Sequence, residues 1–255
     1  MTIWGKIIGS ATGFALGGPI GAILGIAAGH GVDKVSTYKK INNKNFTKNE
    51  KEKIFATSVI ALAAKLSKID GHVAKEEILA FKRVFEFSRE DEKSISEIFN
   101  ASKNNAEDYK KIAEQFFLAF KDDKSILTEL LNALFTVAYA DGHLHEKEKV
   151  MLYQISQIFN FNSLEFESIK NMHESNDSLD NKSLSKYYKI IGVSENLSME
   201  EINKKYKELI KEYHPDRLQG LGLPEDFIDL ANKKLMKINE AYNVIKDKKK
   251  GSNGF

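Results

Sequence analysis

No cysteine occurs among the 255 residues, so neither a disulfide nor a thiol nucleophile is open to this chain, although its compartment stays undecided. Prolines are scarce as well. Pro19, Pro215 and Pro224 are the three, and each marks a place where a helix bends, stops or starts. Charge of one sign is not in excess: the formal net charge is +2, and lysines and glutamates are mixed without a concentrated basic stripe. A nucleic-acid binder would carry that stripe, so no nucleic-acid partner is expected. There is no Ser-His-Asp constellation, no phosphate loop ending in Lys-Ser/Thr after a strand, and no metal-protease motif. No enzyme activity and no cofactor is therefore expected. No stretch reads as a credible strand, which leaves an all-α chain.

What is present begins with a ladder of glycines. Gly5, Gly9, Gly13, Gly17, Gly21, Gly25 and Gly29 recur at every fourth position, and residues 7–29 carry no charged side chain. In water each interior glycine would cost a helix about 1 kcal/mol against alanine. In a bilayer, small residues four apart instead let helix backbones approach closely. At about 1.5 Å per residue the 23 residues of this segment reach about 34 Å, enough to span. Six four-residue steps wrap about 240° round a helix, so one straight partner cannot meet all seven glycines. Two geometries are open, a single bent span, which we favour, or a hairpin of two short helices turning at Gly17-Gly18-Pro19. Self-association as a homodimer would use a subset of the ladder. Lys34, Lys39, Lys40, Lys44, Lys48, Lys51 and Lys53 follow the segment, against Lys6 before it, which places residues 31–255 in the cytoplasm.

Residues 1–30 are thus read as the membrane anchor, 31–48 as a basic tether, 49–174 as a helical domain, 175–185 as a polar linker and 186–255 as a C-terminal domain. Helical period in the middle region predicts helices at 50–69, 75–87, 89–102, 107–121, 123–140, 145–160 and 164–173. A short motif recurs there. Ile69-Asp70-Gly71-His72-Val73 is echoed by Ala140-Asp141-Gly142-His143-Leu144, with Glu77 and Glu148 each seven residues after the Asp. Asp70, His72, Glu77, Asp141, His143 and Glu148 could ligate a divalent ion, since carboxylate plus imidazole suits Zn, Mn or Fe. The alternative, which we favour, makes Asp-Gly a helix–helix turn whose Asp caps the next helix. The ligand count per copy is low, and the alternating oxygens of an EF-hand are missing. His30, His145 and His173 have no sequence neighbours that suggest a role.

At the other end, Ile202, Tyr206, Leu209 and Tyr213 form an apolar stripe of helical period, and Leu235, Ile238, Tyr242 and Ile245 form a second. Ser198 with Glu201 is a capping box that marks the start of the first helix. Pro215 ends it, because the residue before a proline is pushed out of the helical region. The pair would bury its stripes as an antiparallel hairpin and leave His214-Pro215-Asp216 in the exposed connection, where polar groups are more often functional than structural. Lys204, Lys207 and Lys211 share one face at spacings of three and four, suited to steering an acidic partner.

Over roughly residues 184–248 this arrangement resembles the J-domain of DnaJ-like co-chaperones. Tyr187-Tyr188-Lys189-Ile190-Ile191-Gly192-Val193 is similar to the family's first helix and its Gly-Val exit, Glu212-Tyr213-His214-Pro215-Asp216-Arg217 to its second helix and signature loop, and Ile238-Asn239-Glu240-Ala241-Tyr242 to its third helix. The resemblance implies a three-helix domain that does no chemistry itself. It would dock His214, Pro215 and Asp216, with Lys204, Lys207, Lys211 and Arg217, onto an ATP-bound DnaK-type chaperone and stimulate ATP hydrolysis there. The family often has basic residues where this chain has Asn203 and Glu208, which shifts weight onto Lys207, Lys211 and Arg217. The Gly222-Leu223-Pro224 entry to the third helix and the order anchor, middle domain, J-domain resemble the membrane-anchored DjlA-like group, whose middle domain is TerB-like. The Gly/Phe-rich linker and the cysteine-rich zinc domain of full DnaJ are missing. The implied whole is an all-α protein with an inserted N-terminal helix, a TerB-like bundle and a J-domain hairpin. Its expected function is that of a co-chaperone at the bacterial inner membrane, with a DnaK-type chaperone and the bilayer as partners. A metal- or ligand-sensing module with the J-domain as output, or a self-association scaffold, stays open beside it.

Overall fold

The computed structural model describes residues 11–24, 46–69, 92–103, 108–173, 184–221, 223 and 225–252. All regular structure among them is helical. In chain order the helices are α1 (Ala11–Leu24), α2 (Lys48–Leu66), α3 (Glu92–Lys103), α4 (Tyr109–Phe120), α5 (Lys124–Ala138), α6 (Glu146–Ile158), α7 (Ser163–Asn171), α8 (Leu184–Ile191), α9 (Met199–Glu212), α10 (Pro215–Gly220) and α11 (Glu225–Ser252). The helix expected at 75–87 lies outside the described residues, as do Asp70, His72 and Glu77, and Gly5, Gly9, Gly25 and Gly29.

Helix α2 is the axle of a bundle. Thr47 and Glu50 close a capping box, in which Thr47 Oγ1 accepts from the Glu50 N–H at 3.3 Å and Glu50 Oε2 accepts from the Thr47 N–H at 2.9 Å. From Ile54 to Leu66 every residue is buried, as befits a helix apolar all round and surrounded by others. Its neighbours are α1, α3, α4 and α5, with α6 and α7 packed outside α4 and α5. Phe55 meets Phe116 and Phe120 of α4 with ring centroids 5.6 and 6.3 Å apart, within the range of favourable aromatic pairs. Lys65 is buried, and its Nζ donates to the Ser102 carbonyl at 2.7 Å. Burial lowers its pKa.

The glycine-rich segment bends where its Gly-Gly-Pro sequence suggested. Gly18 has φ +67°, which breaks α1 into two short helices just before Pro19. The break frees the Gly17 carbonyl and the Ile20 N–H from the helical ladder. Gln115 of α4 takes both, Nε2 donating to Gly17 O at 2.9 Å and Oε1 accepting from Ile20 N at 3.2 Å. Phe14, Ile20 and Ala22 pack into the same core as α2 and α4, and Gly13 and Gly21 are buried. Among the described residues no helix is long and apolar enough to cross a membrane.

The C-terminal helices hold a second, smaller core. Tyr188 and Ile191 of α8, Ile202 of α9, and Ile238, Ala241 and Ile245 of α11 form it. Helix α8 ends in a Schellman turn: Gly192, at φ +73°, donates to Lys189 O, and Val193 donates to Tyr188 O, both at 3.0 Å.

Candidate functional site

Helix α9 starts at the expected capping box. Ser198 Oγ accepts from the Glu201 N–H at 3.2 Å, and Glu201 Oε2 accepts from the Ser198 N–H at 2.8 Å. These hydrogen bonds hold the Glu201 carboxyl below its ordinary pKa. The helix stops at Tyr213. His214 then turns extended (φ −62°, ψ 130°), as the residue before a proline must.

The tripeptide is not an irregular loop. It is the start of α10, with His214 as N-cap, Pro215 in the first turn and Asp216 beside it. His214 Nδ1 accepts from the Asp216 N–H at 3.3 Å, so a neutral ring carries its proton on Nε2. The His214 side chain is 53% exposed and that of Asp216 is 90% exposed, and 3.8 Å separates Nδ1 from Asp216 Oδ2. A rigid turn thus offers one imidazole and one carboxylate to solvent.

Lys204, Lys207 and Lys211 of α9 are exposed, and none makes an ion pair with a described residue. Asn203, at a position where the resembled family often has a basic residue, has a structural use: its Oδ1 accepts from Tyr242 OH at 3.2 Å. Tyr206 OH reciprocates on Asn239 Oδ1 at 2.9 Å, and the Tyr206 and Tyr242 rings stack with centroids 3.9 Å apart. Arg217, also exposed, is tied to the fold through one nitrogen. Its Nη1 donates to Glu212 O and to Ser125 Oγ of the bundle, each at 2.9 Å.

The structure also places three residues that sequence reasoning missed, Phe227, Ala231 and Lys234. With Ile238, Ala241 and Ile245 they follow one another along α11 at alternating steps of four and three, and all six are buried. The last three lie in the small core, whereas Phe227 and Ala231 belong to the core of the bundle. Lys234 sits between them, 3.4 Å from Glu129 Oε1 of α5 and 3.6 Å from the centre of the Tyr213 ring. Burial pushes Glu129 up and Lys234 down, each opposed by the other's charge. Tyr213 is buried beside them, and burial raises its pKa well above the ordinary value. The signal was the stripe itself, continued past Leu235 toward Phe227 but interrupted by a lysine.

The second Asp-Gly-His copy is a turn, as expected, but the N-cap of α6 is His145 and not Asp141, whose side chain is taken by the turn itself. Gly142 has φ +94°, and Asp141 Oδ1 accepts from the His143 N–H at 2.9 Å. Asp141 Oδ2 lies 3.1 Å from His145 Nε2, and the bonds with His143 and His145 lower the Asp141 pKa despite some burial. Glu148 is spent on the α6 capping box, accepting from the His145 N–H at 3.0 Å. No group of three or more His, Cys, Asp or Glu that could hold a metal ion occurs among the described residues. His145 and His173, to which sequence reasoning assigned no role, both have partners: His173 Nε2 donates to Asn132 Oδ1 at 2.6 Å, and its ring stacks on Phe135.

Three family models match the chain in order: "Co-chaperone DjlA transmembrane domain" over residues 1–52, "Tellurite resistance protein TerB" over 56–171 and "DnaJ domain" over 186–253. Among curated proteins, a co-chaperone protein DjlA of Photobacterium profundum is 27% identical, covering 97% of this chain and 99% of its own. Those of Haemophilus influenzae and Vibrio cholerae are 26% and 27% identical, covering 96% and 98% of this chain and 98% and 99% of their own. No solved structure matches.

Proposed function

Because the chain belongs to the DjlA-like, membrane-anchored J-domain co-chaperones, we propose that it recruits a DnaK-type chaperone to the cytoplasmic face of the membrane and stimulates its ATP hydrolysis. The observation that carries this is the fixed turn at His214-Pro215-Asp216, with both polar side chains in solvent beside the exposed Lys204, Lys207 and Lys211. An acidic chaperone surface would be steered by the lysines and then hydrogen-bonded at the turn. Orientation follows from the seven lysines between Lys34 and Lys53, which keep the following domains on the cytoplasmic side. The homodimer expected from the glycine ladder would draw on Gly13 and Gly21, which here face the bundle, so self-association and this packing exclude each other at those positions. The test is a steady-state ATPase assay with the full chain in lipid nanodiscs and the cognate chaperone. Wild type raises the rate, His214→Gln does not, and equal stimulation by both rejects the proposal.

A further inference from the structure

The J-domain and the bundle exchange core residues. Phe227 of α11, fully buried, sets its ring against Phe55 of the bundle with centroids 4.4 Å apart at 82°. Leu218 of α10 and Leu223, in the connection between α10 and α11, are buried in the bundle core as well. In return Met172, just past α7, is buried in the J-domain core, and its carbonyl accepts from Lys237 Nζ. Ser168 Oγ of α7 donates to Ile190 O of α8 at 2.9 Å. Apart, the two units would expose a phenylalanine, two leucines and a methionine.

Polar groups across this boundary are matched as specifically. Glu129 is 0% and Lys234 is 3% exposed, so each would be an uncompensated buried charge without the other. Ser125 accepts from Arg217, the residue directly after the tripeptide. A hydrophobic patch alone would tolerate sliding. The directional hydrogen bonds Arg217–Ser125 and Ser168–Ile190 permit one orientation, and the buried ion pair tolerates no unmatched charge.

Docking leaves the functional turn uncovered. Tyr213 and Leu218, which bracket the tripeptide, face inward and are buried, whereas His214 and Asp216 stay in solvent. We infer that the central bundle carries a dedicated docking surface for the chain's own J-domain, whose Phe55–Phe227 packing and directional hydrogen bonds hold the His214-Pro215-Asp216 turn outward in one orientation for its partner, and in which the buried charge of Glu129 must be matched by Lys234 or removed with it. The presentation of the turn rests on the function proposed above; the docking does not.

The absence of native cysteine makes the test direct. Spin labels at Lys121→Cys, an exposed position at the end of α4, and Met236→Cys, 70% exposed on α11, would be the sole thiol adducts of the full chain in nanodiscs. Pulsed dipolar spectroscopy is expected to give one narrow distance distribution. Lys234→Glu, which sets two carboxylates together, is expected to broaden it, while the neutral pair Glu129→Gln with Lys234→Met keeps it narrow and reports that folding is intact. A broad distribution in the unsubstituted background, or a narrow one after Lys234→Glu, overturns the docking. Adding the ATP-bound chaperone is expected to leave the narrow distribution in place, and Lys234→Glu to raise the half-maximal concentration for ATPase stimulation about threefold or more through lost pre-organisation. A distribution that shifts on chaperone binding overturns the outward presentation. If the wild-type chain stimulates nothing, the functional proposal fails while the spin-label distances still decide the docking.

Discussion

Helix α11 has two halves that belong to different cores. Ile238, Ala241 and Ile245 close the J-domain against α8 and α9, as the sequence stripe required. Phe227, Leu230 and Ala231, earlier on the same helix, are buried with Phe55 and the bundle. The same kind of side chain at the same period therefore serves internal packing at one end and attachment at the other. Periodicity states that a face is buried, and says nothing of what buries it.

That contrast can be broken from either side. The largest expected effect is Phe227→Ala, which empties a ring-sized site in the bundle core. It should cost about 4 kcal/mol, and urea unfolding followed by a probe in the bundle should report the loss although the residue lies in the J-domain sequence. Next is Lys234→Met, which leaves Glu129 buried and unpaired at a cost of about 3 kcal/mol. Adding Glu129→Gln should recover most of it, and a double variant as unstable as the single one would remove the ion pair from the account.

A third effect appears only in acid. Burial holds His173 at a pKa of about 3, with Lys237 and Lys234 adding to the depression. Between pH 6.5 and 3 the unfolded chain binds a proton that the folded one does not, so stability falls as pH falls across that window, by up to about 1.4 kcal/mol per unit. His173→Gln can keep the donor to Asn132 and should remove this part of the slope, measured as the change in urea midpoint between about pH 7 and about pH 4.5. The smallest effect expected is Tyr242→Phe, which deletes one hydrogen bond to Asn203 inside the hairpin and should cost about 1 kcal/mol. It should act on J-domain unfolding alone, and equal destabilisation of the bundle would erase the distinction between the two halves.

Local chemistry was legible in the sequence. The capping box at Ser198 and Glu201, the end of α9 before Pro215, the Gly192 exit and the bend at Gly18 all follow from residues within a few positions of each other. Helices expected at 107–121, 123–140 and 145–160 are found at Tyr109–Phe120, Lys124–Ala138 and Glu146–Ile158, with ends trimmed by a residue or two. What could not be read are pairings across great sequence separation. Gln115 and Gly17 are 98 residues apart, Arg217 and Ser125 are 92 apart, and Lys234 and Glu129 are 105 apart. Each pairing depends on a polar side chain whose partner sits on a distant helix, and a pattern of hydrophobic residues does not register it. Arg217 illustrates the consequence: its place beside the tripeptide was legible, and its tie to Ser125 and Glu212 was not.

The most direct test of the central claim sets the exposed turn against the buried attachment in one ATPase titration, with the full chain in nanodiscs and the cognate DnaK-type chaperone. His214→Gln should lose stimulation, while the Glu129→Gln, Lys234→Met pair, which keeps the attachment without its charges, should stimulate like wild type. Undiminished stimulation by His214→Gln would contradict the account.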